Sequence, residues 1–391
     1  ILSAVCITSP KTCFGSCPTF YAWDGENDAL MAEGFSASIA PVLEARDVDA
    51  LSRLVPVDGK VSLRMTNEAL ETHVVRRADL LAAERKPGIQ TVATDENEFY
   101  GVSEIVAPLK ANAATGDCLD KLVEADGAEW FSRADSTDLA TKEWITLEFP
   151  ATTGDDLGLV ISSRQTLMTT YLLYQTLAYM GSSTGWWLAH MESLGPRAVT
   201  YTENLLGYLG GIEVQVDDGN GWRSVGETNE VGPLATDTRL VPLGKIDSEL
   251  RSVRLRLTQG YWRIDQVALA RIGDQVEPSR IRPTHVMREG KPDERAREAL
   301  LDPDSTLTTM PGDEYTLVYN LPDRHSKYDL FLDSRGYYYE WIRQEWLEEE
   351  DPNGVAMMLF ETDRAMRELA PDFKRVEAGA EQSFWGSRYA R

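Results

Sequence analysis

Polar and apolar residues alternate through Lys60-Val61-Ser62-Leu63-Arg64-Met65, the pattern of a strand with one face in a core and one in water. Thr72 to Ala83 carries a second strand pattern, and Asn67-Glu68 between the two predicts a connecting turn. From Pro41 to Leu51 the residues Val42, Leu43, Val48 and Leu51 fall at mixed helical spacing and predict a short helix. Beyond Trp144 the period-two signal sharpens. Trp144 to Phe149 alternates, Pro150 to Asp156 turns, and Leu157 to Ser162 is apolar enough for a buried strand. Ile212 to Val216, Val253 to Leu257 and Ile264 to Leu269 continue the series, with Asp217-Asp218-Gly219-Asn220-Gly221 as a hairpin turn before Trp222. Short strands separated by turn signals predict an antiparallel sandwich.

One window breaks this pattern. Gln165 to Ala189 contains no Asp, Glu, Lys or Arg. A membrane-spanning helix needs about 20 mostly apolar residues, and Thr, Gln, Ser and Gly interrupt this run. It predicts a helical insertion at 164–208, part of it an interaction surface with Leu167, Tyr171, Tyr174, Trp186 and Trp187 as candidate contacts. Further on, Glu277 to Asp304 reads as a Pro- and charge-rich link. Tyr315 to Tyr319 and Tyr328 to Leu332 read as strands of a hairpin across Pro322-Asp323. Tyr337 to Glu350 and Val355 to Leu369 read as helices, separated by the break Asp351-Pro352-Asn353-Gly354.

The predicted fold is mainly β with α, in several domains. Residues 1–135 form a β-rich domain with a cysteine cluster, 136–285 an antiparallel β-sandwich with the helical insertion, and 286–391 an α+β region. The strand order, with Trp222 after an Asp-Gly turn and Tyr261-Trp262-Arg263 before the last strand, resembles a galactose-binding-like (discoidin-type) jelly roll.

Charge narrows the partners. The 391 residues carry a net charge of -24 with 26% charged and 42% hydrophobic residues, globular values. Such a surface gains no counterion release from a nucleic acid, and it repels anionic lipid headgroups while steering basic partners.

Four cysteines, Cys6, Cys13, Cys17 and Cys118, are the disulfide candidates, and three full pairings are open. Fully extended, Cys13 and Cys17 would lie about 13 Å apart, beyond the roughly 7 Å reach of a disulfide, so a bond between them needs a tight turn at Gly15. The three-residue spacer and Pro18 argue against a catalytic thiol pair, and the scattered His73, His190, His285 and His325 against a metal site. The motif Cys13-Phe14-Gly15-Ser16-Cys17-Pro18-Thr19-Phe20 resembles an uncharacterised bacterial extracytoplasmic family with a Cys-Phe-Gly-Ser/Thr-Cys-Pro-x-Tyr/Phe signature. That resemblance covers the first 55 or so residues and implies a β-rich domain in the periplasm or cell envelope. A first residue other than Met and the clustered cysteines point to export as well, with Ile1 to Cys6 read as a first strand rather than a lipidation box.

Catalytic signals are sparse. Gly181-Ser182-Ser183-Thr184-Gly185 fits the hydrolase pattern G-x-S-x-G, but the run before Ser183 reads as helix where a nucleophile elbow needs a strand. The 217–221 turn lacks the spacing of a calcium loop, and no phosphate loop or dinucleotide fingerprint occurs. No cofactor or metal is expected. The chain reads as a non-enzymatic, extracytoplasmic structural or accessory subunit without a membrane span of its own, docking on protein partners in a larger membrane-bound assembly. By class rather than by motif it is similar to a membrane-extrinsic subunit that braces a bacterial photosynthetic reaction centre within its antenna ring. A carbohydrate-binding protein using the jelly roll and a serine hydrolase using Ser183 are the alternatives.

Overall fold

The computed structural model describes residues 17–195, 207–217, 221–229, 232–246 and 249–387; Cys6 and Cys13 lie outside them. Strands dominate, gathered into four sheets that form two β-sandwiches. The mainly β, multidomain expectation holds.

The first sandwich draws strands from both ends of the chain. One sheet has the order Asp28–Glu33, Thr19–Trp23, Lys60–Thr66, Glu314–Asn320, His285–Arg288, Lys291–Pro292. The facing sheet runs Ser279–Ile281, Glu71–Glu84, Tyr328–Glu340, Ala45–Ala50, with Leu307–Thr309 also on Glu71–Glu84. Phe20, Leu63, Met65 and Leu317 of the first sheet pack against Val75, Leu80 and Leu332 of the second.

The second sandwich has one sheet ordered Trp222–Thr228, Ile212–Asp217, Leu250–Thr258, Lys142–Thr152, Lys110–Ala113, Gly116–Asp117. Its facing sheet runs Trp130–Phe131, Trp262–Val276, Leu157–Gln165, Asp237–Pro242, Gln90–Ala93, Phe99–Val106. Because Phe99–Val106 also pairs with Trp262–Val276, five of these strands close into a ring. Leu157, Leu159 and Ile161 face the sandwich core, whereas Val160 faces a small core inside the ring with Val92, Val102, Leu240 and Ala270. Both faces of this strand are covered, which is why Leu157 to Ser162 shows no alternation.

Helices among the described residues include α1 (Met168–Met180), α2 (Thr184–Leu194), α3 (Glu294–Leu301), α4 (Gln344–Glu348), α5 (Pro352–Phe360), α6 (Thr362–Val376) and α7 (Ala380–Ser387). The inserted helical pair is present. α1 is buried around most of its circumference, with Leu172 and Leu177 in the same core as Met358, Met366, Leu369 and Phe373 of α5 and α6. Gly354 makes the close approach possible, since a Cβ there would lie 2.6 Å from the Tyr179 ring. No helix among the described residues is long and apolar enough to cross a membrane.

Several local expectations are corrected. Pro41 to Leu51 is a three-residue 3-10 turn, Pro41–Leu43, followed by strand Ala45–Ala50, whose Val48 is buried against the second sandwich. Lys60–Thr66 and Glu71–Glu84 are not a hairpin but lie in opposite sheets, joined at a corner where the Asn67 amide donates to the Glu71 carbonyl (3.0 Å). The turn at Pro322-Asp323 likewise crosses between sheets. Tyr337 to Glu340 completes a long strand, and only Gln344–Glu348 is helical. The Val355 to Leu369 helix is two, broken at Glu361. Asp351 and Pro352, read as a break, cap and begin α5: Asp351 Oδ1 accepts from Asn353 N (2.9 Å) with Pro352 in the first turn. The 277–304 link contains α3 and three short strands of the first sandwich. The sheets thus gather strands from both sides of residues 135 and 285.

Three buried carboxylates pin the two sandwiches together. Glu33 Oε2 accepts from Leu234 N (2.6 Å) and Ala235 N (2.9 Å). Asp237 Oδ1 accepts from Ala50 N (2.6 Å), and Asp329 Oδ2 from Thr91 N (2.7 Å). Removing the Glu33 acceptor strands two donors in the seam, so Glu33→Ala is expected to cost about 2–4 kcal/mol in urea unfolding. A change under about 0.5 kcal/mol, the size of an ordinary surface effect, would show that these bonds do not hold the seam.

Candidate functional site

The structure disperses the cysteine candidates it describes. Cys17 and Cys118 are free, buried thiols. Burial, then the carboxylates of Glu33 and Glu71, pushes the Cys17 thiol far up, and burial with Asp117 pushes Cys118 up to about 11. Both thiols are protonated near neutral pH and are poor nucleophiles. Ser183 sits in a 3-10 turn between α1 and α2, its hydroxyl donating to the Met180 carbonyl (2.6 Å), with a helix rather than a strand before it. Asp217 pairs with Trp222 across the expected hairpin, whose turn residues 218–220 lie outside the described set. Among the described residues no cluster of three or more His, Cys, Asp or Glu could hold a metal ion.

The charge-free window divides by helix. Leu167, Tyr171 and Tyr174 are buried inside the chain, so they are core residues rather than contacts for a partner. Their burial follows from packing: Tyr171 meets Phe373 at 5.1 Å and Tyr174 meets Trp346 at 5.2 Å between ring centroids. α2 is different. Trp186 is 65% exposed and lies flat on His190 one turn later, with ring centroids 5.2 Å apart and planes within 5°. Trp187 is half-buried and meets the same imidazole edge-on. The turn carrying α2 outward depends on Gly181, whose φ is +49° and where a Cβ would lie 2.6 Å from Glu350. Glu350 Oε2 accepts from Ser182 N (2.7 Å) and from its hydroxyl (2.5 Å), which holds the Glu350 carboxyl below the usual range.

On the other side of α1 lies a polar cluster that sequence reasoning missed. Tyr174 donates to Glu340 Oε1 (2.9 Å), and Arg343 Nη2 donates to the Tyr174 hydroxyl (3.1 Å) and Glu340 Oε2 (3.4 Å). The Arg343 guanidinium stacks 4.5 Å over the Tyr174 ring and 4.9 Å over Trp346. Strand register sets Glu340 opposite Glu71, itself 3.2 Å from His73 Nε2. Burial, then the charge of Glu71, raises the Glu340 carboxyl well above its ordinary value, and Glu340 shares a hydrogen bond with Glu71. The arrangement is a pair of facing acids with one arginine, Glu340 held toward its protonated form, a buried lock between strand end and helix rather than an open site. The signal that could have exposed it is Tyr-Tyr-Tyr-Glu at 337–340, which has strand composition despite its polar end.

No protein-family model and no curated protein sequence matches this chain.

A carboxyl kept protonated by folding adds stability that is full below its ordinary value of 4.5 and is lost as pH rises toward the folded value. Glu340→Gln keeps the shape and removes the proton release. Thermal melts at pH 5, 6.5 and 8 are expected to show a flatter loss of stability for the variant, which equals or exceeds the wild type at pH 8. Parallel curves would contradict the protonated assignment.

Proposed function

We propose that this chain is a non-enzymatic, extracytoplasmic accessory subunit that docks on a larger membrane-bound protein assembly through α2. The observation that carries this is Trp186, exposed and stacked on His190 in α2, within a helical pair that has no Asp, Glu, Lys or Arg from Met168 to Ala189 and whose other helix is buried. A large aromatic held in one orientation loses little entropy on binding and suits an anchor in a partner's pocket. The net charge of -24 disfavours an anionic bilayer surface as the occupant, so the partner is a protein. A bacterial photosynthetic reaction centre with its antenna is an assembly of this kind.

Trp186→Ala is expected to leave unfolding within about 0.5 kcal/mol of wild type while reducing co-purification with the detergent-solubilised assembly. Tyr174→Ala, inside the core, is expected to cost about 3 kcal/mol or more. Retained co-purification of a folded Trp186→Ala protein would reject docking through α2.

The outer face of the second sandwich supports a second reading, carbohydrate binding. There Trp144 is exposed, and the Arg254 guanidinium lies 4.5 Å over the Trp222 ring and 5.8 Å over Trp144. Gln215 Oε1 fixes that guanidinium through two bonds of 2.9 and 2.7 Å. An aromatic face flanked by fixed polar groups is chemistry that stacks and hydrogen-bonds a sugar ring. Retention on a polysaccharide affinity gel, lost in Trp144→Ala, is the expected sign; unretarded wild-type protein would remove this reading.

A further inference from the structure

A cleft of 830 Å³ opens beside the seam of the two sandwiches, walled by the 52–59 loop, the 85–90 connection and the 321–328 loop. Its size falls within the usual range for small-molecule sites. Leu51, Val92, Leu330 and Phe331 give it an apolar floor. Its rim carries Arg85, Arg324 and Lys327 against Asp58 and Asp329. Asp329 is already spent, one oxygen on the Arg85 guanidinium and the other on Thr91 N. Neither Arg324 nor Lys327 has a carboxylate within ion-pair distance among the described residues, whereas Arg64, Arg164, Arg271 and Arg280 each have two. With Arg85, Arg324 and Lys327 against Asp58 and Asp329, and Asp323 beside Arg324 in the same loop, the cleft leans toward positive charge relative to a chain of net charge -24.

The walls are held in place. Leu321 N donates to the Gly59 carbonyl (2.9 Å) and Arg85 N to the Lys327 carbonyl (2.8 Å), tying the three segments together. Gly59 approaches Arg324 so closely that a Cβ would lie 2.5 Å from the arginine's own. Arg324 Nε donates to His325 Nε2 (3.1 Å), which leaves the terminal guanidinium nitrogens for another acceptor. Tyr328 accepts from Asp323 N through its hydroxyl oxygen (3.0 Å), so its own proton remains to be donated. Two cations and a phenol therefore stand over an apolar floor.

We infer that this cleft binds an amphiphilic organic anion, its acidic group on Arg324 and Lys327 and its hydrocarbon body on the apolar floor. The probe is 8-anilinonaphthalene-1-sulfonate, titrated by fluorescence into the intact chain beside the uncharged N-phenyl-1-naphthylamine. The double variant Arg324→Glu/Lys327→Glu, at exposed positions, is expected to weaken the sulfonate on the order of tenfold and to leave the neutral probe unchanged. Raising salt should likewise weaken only the sulfonate. Ser52→Trp, which fills the mouth, is expected to weaken both probes. Displacement by dodecanoate identifies a lipid acid as the source of the anion, and displacement by naphthoate alone a compact aromatic acid; either supports the site. Sulfonate affinity that is unaltered by the double variant, lost instead in Trp186→Ala, or absent in wild type would overturn it.

Discussion

One strand pair, Glu71–Glu84 with Tyr328–Glu340, sets the terms for the rest of the molecule. Its register places acid opposite acid twice: Asp79 faces Asp333 in the middle and Glu71 faces Glu340 at the end. Like charges across a ladder are destabilising, and all four of these carboxyls are buried or nearly so. The two conflicts are resolved differently. Around Asp333 three arginines converge, Arg46 at 3.1 Å, Arg77 at 2.8 Å and Arg280 at 2.7 Å, with Arg280 also 2.9 Å from Asp79. Those arginines come from strand Ala45–Ala50, from Glu71–Glu84 itself and from Ser279–Ile281, so neutralising the pair recruits distant segments of chain into one sheet. At the other end Arg343 stands on Glu340 and His73 on Glu71, and burial with the charge of Glu71 holds the Glu340 carboxyl toward its protonated form.

The same strands supply the seam. Phe331 and Leu81 pack against Phe99 and Ala93 of the second sandwich, with the two Phe rings edge-on at 5.0 Å. This apolar patch is small, so the backbone groups around it matter. Buried amides that lose water must find acceptors, and Glu33, Asp237 and Asp329 supply carboxylates, which bind N–H groups more strongly than neutral acceptors do. The chain crosses between the sandwiches at 84–90 and again at 276–279, the intervening residues build the sheets of the second unit, and after Glu340 the C-terminal helices return to its core. An insertion joined at two close points is already restricted in orientation. The carboxylate bonds and the Phe pair fix what remains.

How much of this was legible follows from which contacts are local. Lys60 to Met65, Trp144 to Phe149 and Val253 to Leu257 alternate because each has one wet face, and all three proved to be strands. Their partners were not legible: Lys60–Thr66 pairs with Glu314–Asn320, some 250 residues away, and nothing in either pattern names the other. Tyr337 to Glu340 was misread as helix because the strand passes through buried Asp333 and Ser334, polar residues that mimic a loop. Val42 and Leu43 suggested a helix where Pro41 only starts a single turn. The buried cluster was hidden because Glu, His and Arg read as surface until a partner is known. The cleft left a fainter trace: Arg85-Lys86 and Arg324-His325-Ser326-Lys327 are basic runs in an acidic chain, separated by more than 200 residues.

The α2 aromatic stack and the cleft differ in chemistry, and the charge distribution explains why both can persist on one surface. Trp186 and His190 offer an aromatic stack at the edge of a stretch without Asp, Glu, Lys or Arg, so association there depends chiefly on shape and burial. The cleft offers cations over an apolar floor, and its field is opposed by the surrounding carboxylates, which keep it from gathering polyanions such as nucleic acid. A small anion that fits inside reaches Arg324 and Lys327, while Asp329 on the same rim is already bound to Arg85 and to Thr91 N. Size thus becomes a selector. Only an acid small enough to enter the cleft senses the positive rim, while anything larger meets the net negative surface first.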